Sequence, residues 1–225
     1  MLAPLSTTGP AQTRHSLVYN LAGITLLVML AAVGLAYLID RTSHAAHAIG
    51  PALGDRDTVQ QTVAGRELDI PSTWFRYGEQ MKSGFASQVD LQFMLQLEPA
   101  ATPFPVGVTL LPRSRARSSS ALLDTVYLHQ FGEGTTGGIP GLVGKSLIER
   151  DGYAGETVWY DPLSPAPFVA KCAAAVSPGQ PDQCLRTIHL QSGLAAVLSF
   201  DASALPLWRE FDRELALWLG QIGAV

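Results

Sequence analysis

A long, mostly apolar run lies near the start of the chain. Residues 17–39 read LVYNLAGITLLVMLAAVGLAYLI, and no charged side chain occurs between Leu21 and Ile39. A helix of about 20 such residues is long enough to cross the hydrocarbon core of a bilayer. The pattern predicts a transmembrane helix over residues 17–39 that contacts the lipid bilayer, with a cytoplasmic tail over 1–16 and a juxtamembrane linker over 40–58.

A cleaved signal peptide is the alternative interpretation of this run. The segment Ala46-His47-Ala48 has the small-x-small pattern of a cleavage site. The apolar stretch is longer than a signal peptide requires, and the polar residues 40–44 separate it from that site. We therefore predict that the anchor is retained, and cleavage before Ile49 is left open.

Alternation of apolar and polar residues marks strands in the rest of the chain. The clearest segment is QVDLQFMLQLEP, in which every second residue from Val89 to Leu97 is apolar and most residues between them are polar. This period is typical of a strand with one buried and one solvated face. The segments LDIP, which ends at Pro71, and VGVTLLP, which ends at Pro112, predict two further strands.

Two hairpins and a terminal helix complete the predicted architecture. The dipeptides Asp-Gly at 151–152 and Ser-Gly at 192–193 are turn signals between apolar segments. From about 205 to 222 an apolar stripe recurs with helical spacing, and charged residues lie opposite it. Residues 59–225 are therefore predicted to form an α+β domain, a mainly antiparallel sheet with the C-terminal helix packed on one face.

Two segments between the strands have less decisive patterns. In residues 118–131, SSSALLDTVYLHQF, apolar spacing and a serine cap favour a short helix, although the second half also fits a strand. The choice between helix and strand is left open there. Residues 132–144 contain six glycines and predict a long loop.

The chain has two cysteines, Cys172 and Cys184, which flank a Pro- and Gly-containing turn between two strand-like segments. This arrangement predicts a hairpin clamped by a disulfide bond. Disulfides persist in the periplasm or outside the cell. The two flanks of the apolar run carry nearly equal numbers of Lys and Arg, so the positive-inside rule does not determine the orientation. The predicted disulfide does, because it places the C-terminal domain outside the cytoplasm. The prediction is a single-pass protein of the bacterial inner membrane whose C-terminal domain lies in the periplasm.

The charge balance argues against a nucleic-acid partner. The formal net charge is −4, and residues 50–225 carry 18 acidic and 13 basic side chains, a formal charge of −5. Nucleic-acid-binding proteins usually show a basic footprint, which this chain lacks as a whole. We therefore predict that the chain binds no nucleic acid.

Catalytic, nucleotide and metal motifs do not emerge from the residues. The segment GLVGKS resembles a phosphate-binding loop, but the first glycine of that motif would fall at Ile139. His44 and His47 have helical spacing yet supply only two metal ligands. Neither His129 nor His189 accompanies the nucleophile motif of common hydrolases. We predict no catalytic residue, no metal and no cofactor.

Three alternating arginines, Arg113, Arg115 and Arg117, follow the strand that ends at Pro112. Guanidinium groups in a loop can bind phosphates, lipid headgroups or the carboxylates of a protein. A solvated loop is the simpler interpretation. These three residues are nevertheless the predicted candidates for a partner contact.

Three segments carry a resemblance to known proteins: ELDIPSTW at 67–74, the strands around Cys172 and Cys184, and the terminal PLWREFDRELALWL. In these segments the chain resembles uncharacterised single-pass membrane-anchored proteins of alphaproteobacteria. It is also similar in fold to the extrinsic P subunit of photosystem II. The resemblance implies an α/β/α arrangement and brings no catalytic residues.

The predicted function is protein–protein interaction by a membrane-anchored periplasmic domain, for example as an accessory subunit of a membrane complex. This prediction rests on the anchor, on one compact domain and on the missing catalytic motifs. Two alternatives stay open: a periplasmic domain that binds a small ligand in a cleft under the glycine-rich loop, and an envelope hydrolase.

Overall fold

The chain divides into two compact units, Met1–Ile49 and Gly50–Val225. In the first unit, residues 22–36 form a helix, α1, whose apolar side chains are exposed. The second unit contains every other helix and strand of the described residues. The computed structural model describes residues 22–36, 57–97, 103–149, 155–177 and 179–225.

Helix α1 lies inside the predicted membrane span. Residues 22–36 make a helix of about 22 Å at a rise of 1.5 Å per residue. Among the described residues, no helix is both long enough and apolar enough to cross a membrane. The two ends of the 17–39 segment, the tail 1–16 and nearly all of the linker 40–58 lie outside the described residues. The transmembrane helix therefore stays a prediction.

A small three-stranded sheet opens the second unit. Strands β1 (Thr58–Val63) and β2 (Arg66–Pro71) form an antiparallel hairpin. Its turn residues, Ala64 and Gly65, have φ angles of 51° and 80°, the positive values that suit a two-residue hairpin turn. Strand β3 (Gly84–Ala86) pairs in parallel with β1 and lies at an edge, in the order β2-β1-β3.

Seven further strands form a large sheet: β4 (Val89–Leu95), β5 (Phe104–Pro112), β6 (Val143–Ser146), β7 (Glu156–Tyr160), β8 (Val169–Ala173), β9 (Gln183–His189) and β10 (Leu194–Asp201). They pair antiparallel in the order β4-β5-β10-β9-β8-β7-β6. Helix α2 (Ser119–Thr125) follows β5, and helix α3 (Trp208–Gln221) follows β10.

Helix α3 packs its apolar stripe into the core through aromatic contacts. The ring of Trp218 lies 4.9 Å from that of Trp74 and 5.0 Å from that of Phe93 in β4, measured between centroids. Two turns earlier in the helix, the ring of Phe211 lies 4.6 Å from that of Phe200 in β10. All five rings are buried. Aromatic pairs at these distances add to the stabilisation that burial alone provides.

The predicted α+β class is confirmed, with a large antiparallel sheet and a C-terminal helix. In and just after β4, the apolar residues that alternate from Val89 to Leu97 are all fully buried. The helix begins later than the predicted residue 205, because Ala202–Leu207 form a 3₁₀ helix that contains Pro206. Asp201 caps that turn by accepting a hydrogen bond from the backbone N–H of Ser203 at 2.7 Å.

Both predicted hairpins are present in the large sheet. Strands β9 and β10 pair across the turn at 192–193, where Gly193 has a φ of 86°. Strands β6 and β7 also pair, but the predicted turn at 151–152 lies outside the described residues. The favoured helix is present within 118–131, and the side chain of Ser118 caps it by accepting from the backbone N–H of Ala121 at 3.3 Å.

The predicted disulfide bond between Cys172 and Cys184 is confirmed. The two cysteines lie directly opposite each other in β8 and β9, and both are buried. The bond therefore joins neighbouring strands inside the core.

Candidate partner-binding surface

The arginine segment, residues 113–117, lies at one end of the large sheet. It continues from β5, whose last residue, Pro112, is paired with Leu194 at the start of β10. Proline has no N–H to continue a ladder, and the chain turns at once into a 3₁₀ helix over Arg113–Arg115. The ends of β5 and β9 and the starts of β4 and β10 meet at this end of the sheet.

Hydrogen bonds at or near both ends of the arginine segment hold it in place. The N–H of Arg113 donates to the carbonyl of Gly193 at 3.1 Å. Two residues after the segment, the hydroxyl of Ser119 accepts from the N–H of Thr187 in β9 at 2.8 Å. Ser119 is buried, so helix α2 is anchored to the sheet at its first residue. The segment is therefore a bridge between two fixed points.

His189, the last residue of β9, fixes the middle of the segment. Its Nδ1 accepts a hydrogen bond from Nε of Arg113 at 2.9 Å, and its Nε2 lies 2.8 Å from the carbonyl oxygen of Ala116. An arginine N–H can only donate and a carbonyl can only accept. In this arrangement Nδ1 accepts and Nε2 donates, and both ring nitrogens are occupied by the segment.

Two grooves flank this network. A groove of about 470 Å³ is lined by the whole arginine segment, by Ser118, by Ala121 and Thr125 of α2, and by His189. A second groove, of about 320 Å³, shares Arg113, Ser118 and His189 with the first. The described residues that line either groove include no carboxylate. The electrostatic environment of both grooves is therefore set by basic side chains.

All three predicted arginines line the first groove, and all three are exposed. Arg113 donates to His189, and Nη1 of Arg115 donates to the carbonyl of Ser87 at 3.2 Å. The rest of the domain is acidic on balance. A local group of cations on such a domain attracts anionic groups and orients them on approach.

Arg186 lines the second groove but has a different role. It is almost fully buried, pairs through both guanidinium NH₂ groups with the carboxylate of Asp212, and lies 4.1 Å from the ring centroid of Phe168. A buried arginine with a bidentate carboxylate partner has its charge satisfied internally. Arg186 therefore joins β9 to α3 and is not part of the exposed cationic set.

The other candidates from the sequence are not brought together. Within GLVGKS, Gly144 lies in β6, and a Cβ there would come within 2.9 Å of the Trp159 ring and of the Thr136 carbonyl. That glycine is required by packing. His129 is exposed at the end of a short 3₁₀ helix, and the His44–His47 pair lies outside the described residues. The described residues contain no group of three or more potential metal ligands.

The glycine-rich loop, residues 132–144, packs directly on helix α3. The indole N–H of Trp208 donates to the carbonyl of Pro140 at 3.2 Å. The guanidinium of Arg209 lies 2.9 Å from the position that a Cβ on Gly141 would occupy. Ile139 packs against the main core. The two grooves described above lie away from this loop.

Sequence reasoning missed two features of this region. His189 is 76 residues from Arg113 in sequence, and no local pattern signals that the two side chains meet. Phe85 in β3 is 93% exposed. An aromatic residue between Gly84 and Ala86, in a segment without alternation, was the available signal for an unusual surface position.

Comparisons with known proteins identify the fold alone. The chain matches no protein-family model and no curated protein. Among solved structures, it is similar to Smlt3025, an immunity protein of the Stenotrophomonas maltophilia type IV secretion system. The TM-score is 0.50 at 10% sequence identity, over 77% of this chain and 97% of that chain.

The match corrects the resemblance drawn from the sequence. The similarity to alphaproteobacterial membrane-anchored proteins and to the extrinsic P subunit of photosystem II is wrong, because the supported neighbour is an immunity protein of a secretion system. The segments behind that resemblance, a strand ending in proline and an amphipathic terminal helix, occur in many α+β domains and are not specific. The chain shares the fold of that immunity protein.

Proposed function

We propose that residues 59–225 form a periplasmic domain that binds an acidic surface of a protein partner through Arg113, Arg115 and Arg117. The observation that carries this proposal is a set of three exposed arginines on a backbone held by Gly193 and His189. Side chains on a fixed backbone lose less conformational entropy on binding than side chains on a mobile loop. The arrangement therefore suits specific recognition.

The compartment is supported by the disulfide bond and by the structural neighbour. The Cys172–Cys184 bond fits an oxidising environment such as the periplasm. The neighbour, whose fold this chain shares, is described as an immunity protein of a type IV secretion system. Both observations favour an interaction domain exposed to the cell envelope.

Charge reversal of the arginine segment is the test of this proposal. Full-length tagged protein is purified in detergent from its native membrane, and co-purified proteins are quantified by mass spectrometry. Three exposed ion pairs of about 0.5 kcal/mol each together change affinity by about tenfold. Recovery of the partner is expected to fall about tenfold in the triple variant Arg113→Glu/Arg115→Glu/Arg117→Glu.

The matched control is Lys145→Glu/Arg209→Glu/Arg213→Glu, which changes the net charge equally on β6 and α3. Wild type and this control are expected to recover the partner in equal amounts, and circular dichroism verifies that both variants are folded. Raising the salt concentration should weaken wild-type recovery, because exposed charges are screened. Undiminished recovery with the arginine variant would contradict the proposal. If wild type recovers no partner, protein binding is contradicted, and a small anionic ligand becomes the better candidate for the grooves.

A further inference from the structure

Strand β3 is an edge strand without the usual protection. In the described part of the chain, only β1 pairs with it. Edge strands in soluble proteins are commonly blunted by charged residues, proline or a covering segment, since their free N–H and C=O groups otherwise pair with another chain. Residues 84–86 read Gly-Phe-Ala, and the Phe85 side chain is 93% exposed.

The backbone before β3 is held rigidly, although its surface is apolar. The side-chain amide of Gln61, which is buried in β1, donates to the carbonyls of Gln80 and Lys82. Tyr77 and Met81, which flank a 3₁₀ turn at Gly78–Gln80, are each more than 40% exposed. Exposed apolar groups on a fixed backbone are typical of an interaction surface.

This edge is continuous with the arginine segment. Phe85 is two residues before Ser87, whose carbonyl accepts the hydrogen bond from Arg115 at 3.2 Å. At about 3.3 Å per residue, an extended chain that begins beside Phe85 reaches the level of Ser87 within about two residues. One bound segment can therefore contact both the apolar edge and the cations.

We propose that the partner supplies an extended segment that adds to the free edge of β3. Resting on the proposed function, this inference names the form of the ligand: an apolar side chain packs on Phe85, and carboxylates a few residues away bind Arg115 and its neighbours. Main-chain hydrogen bonds provide affinity in strand addition, and the flanking side chains provide specificity.

The free edge also favours a protein segment over a lipid surface. An exposed aromatic residue beside cations suits both classes of partner. In lipid, however, unpaired N–H and C=O groups of an edge strand have no hydrogen-bonding partner. A peptide strand satisfies them, and its acidic residues complement the charge of the arginine segment.

The test places a photo-crosslinking amino acid, p-benzoylphenylalanine, at Phe85 of the full-length protein in native cells. The control position is Leu163, an equally apolar residue that is 90% exposed. Irradiation is expected to give an adduct at position 85 and none at position 163.

Mass spectrometry of the crosslinked peptide should identify an acidic segment, and the adduct should decrease about tenfold in the background of the arginine triple variant. Phe85→Asp, but not Leu163→Asp, should reduce partner recovery to the same extent.

Each other outcome overturns this inference in an identifiable way. An adduct to lipid, to a second copy of this chain, or to a basic or neutral peptide excludes an acidic partner strand at β3. Absence of an adduct at position 85, with a partner still recovered through the arginines, removes the strand addition and leaves the proposed function standing. When the arginine-dependent partner is itself missing, both proposals fail together.

Discussion

Asp90 shows how single residues stabilise the end of the sheet near the arginine segment. Its carboxylate accepts hydrogen bonds from Thr109 at 2.5 Å, from Gln80 at 2.8 Å and from Gln88 at 3.3 Å. Burial by itself raises the pKa of Asp90, but these three hydrogen bonds and the charge of Arg76 outweigh it, so the pKa lies below its ordinary value. The folded state therefore favours the ionised carboxylate.

The lowered pKa predicts an acid-dependent contribution to stability. A carboxyl whose pKa is lower in the folded state stabilises that state above the unfolded pKa of about 3.9, and the contribution is lost as the pH falls through the folded value. Asp90→Asn should cost about 1–2 kcal/mol at pH 7, because its NH₂ group would face hydrogen-bond donors. Urea unfolding monitored by tryptophan fluorescence at pH 7, 5 and 3 measures this difference.

The difference between wild type and Asp90→Asn should therefore shrink towards pH 3. The control is Asp124→Asn on the exposed side of α2, for which the described residues show no side-chain hydrogen bond. A destabilisation by Asp90→Asn that is equal at all three pH values would show that packing, and not ionisation, explains the effect.

At the scale of elements, the local sequence pattern determines some helices and strands, and tertiary contacts determine others. Strand β4 has an alternation that determines which face is buried, and the structure follows it residue by residue. Helix α2 has only seven residues, too few to be stable alone. Its docking on β9 through Ser119 and the burial of Leu123 select helix over strand. The ambiguity at 118–131 was therefore a real property of the sequence.

The hairpin of β8 and β9 gives the prediction at this scale. In the chain-entropy model, closing a loop of about 13 residues with a disulfide stabilises the fold by about 3 kcal/mol. The double variant Cys172→Ala/Cys184→Ala should lose about that much free energy of unfolding in urea. Reductant should lower the wild-type midpoint and leave the variant midpoint unchanged. An unchanged wild-type midpoint after complete reduction would refute this assignment of stability.

At the scale of the whole molecule, the N-terminal unit determines whether the protein is anchored in the membrane or released from it. Residues 17–39 carry no charged side chain, while the described helix covers residues 22–36. A retained anchor requires the helix to continue at both ends to about 20 residues. A cleaved leader requires no such extension, because it is removed.

Membrane fractionation separates these two outcomes. We expect the full-length protein to stay in the membrane pellet after carbonate washing and to keep its original N-terminus by intact-mass measurement. A truncated protein that starts at residue 50 lacks the apolar segment; it serves as the control and should appear in the soluble fraction. A mature chain that begins near Ile49 and washes off the membrane would establish cleavage.

The sequence by itself determined the class of the fold, the cysteine pair, the main strand faces and the terminal helix, because each follows from a local period or a short spacing. Only the tertiary structure decided that β3 pairs in parallel with β1, since a three-residue strand has no period of its own. It also decided that His189 holds Arg113 and Ala116, and that Arg115 contacts Ser87, two residues after the exposed Phe85. These contacts join distant parts of the chain. The pairing register of the strands brings them together, so no local sequence pattern predicts them.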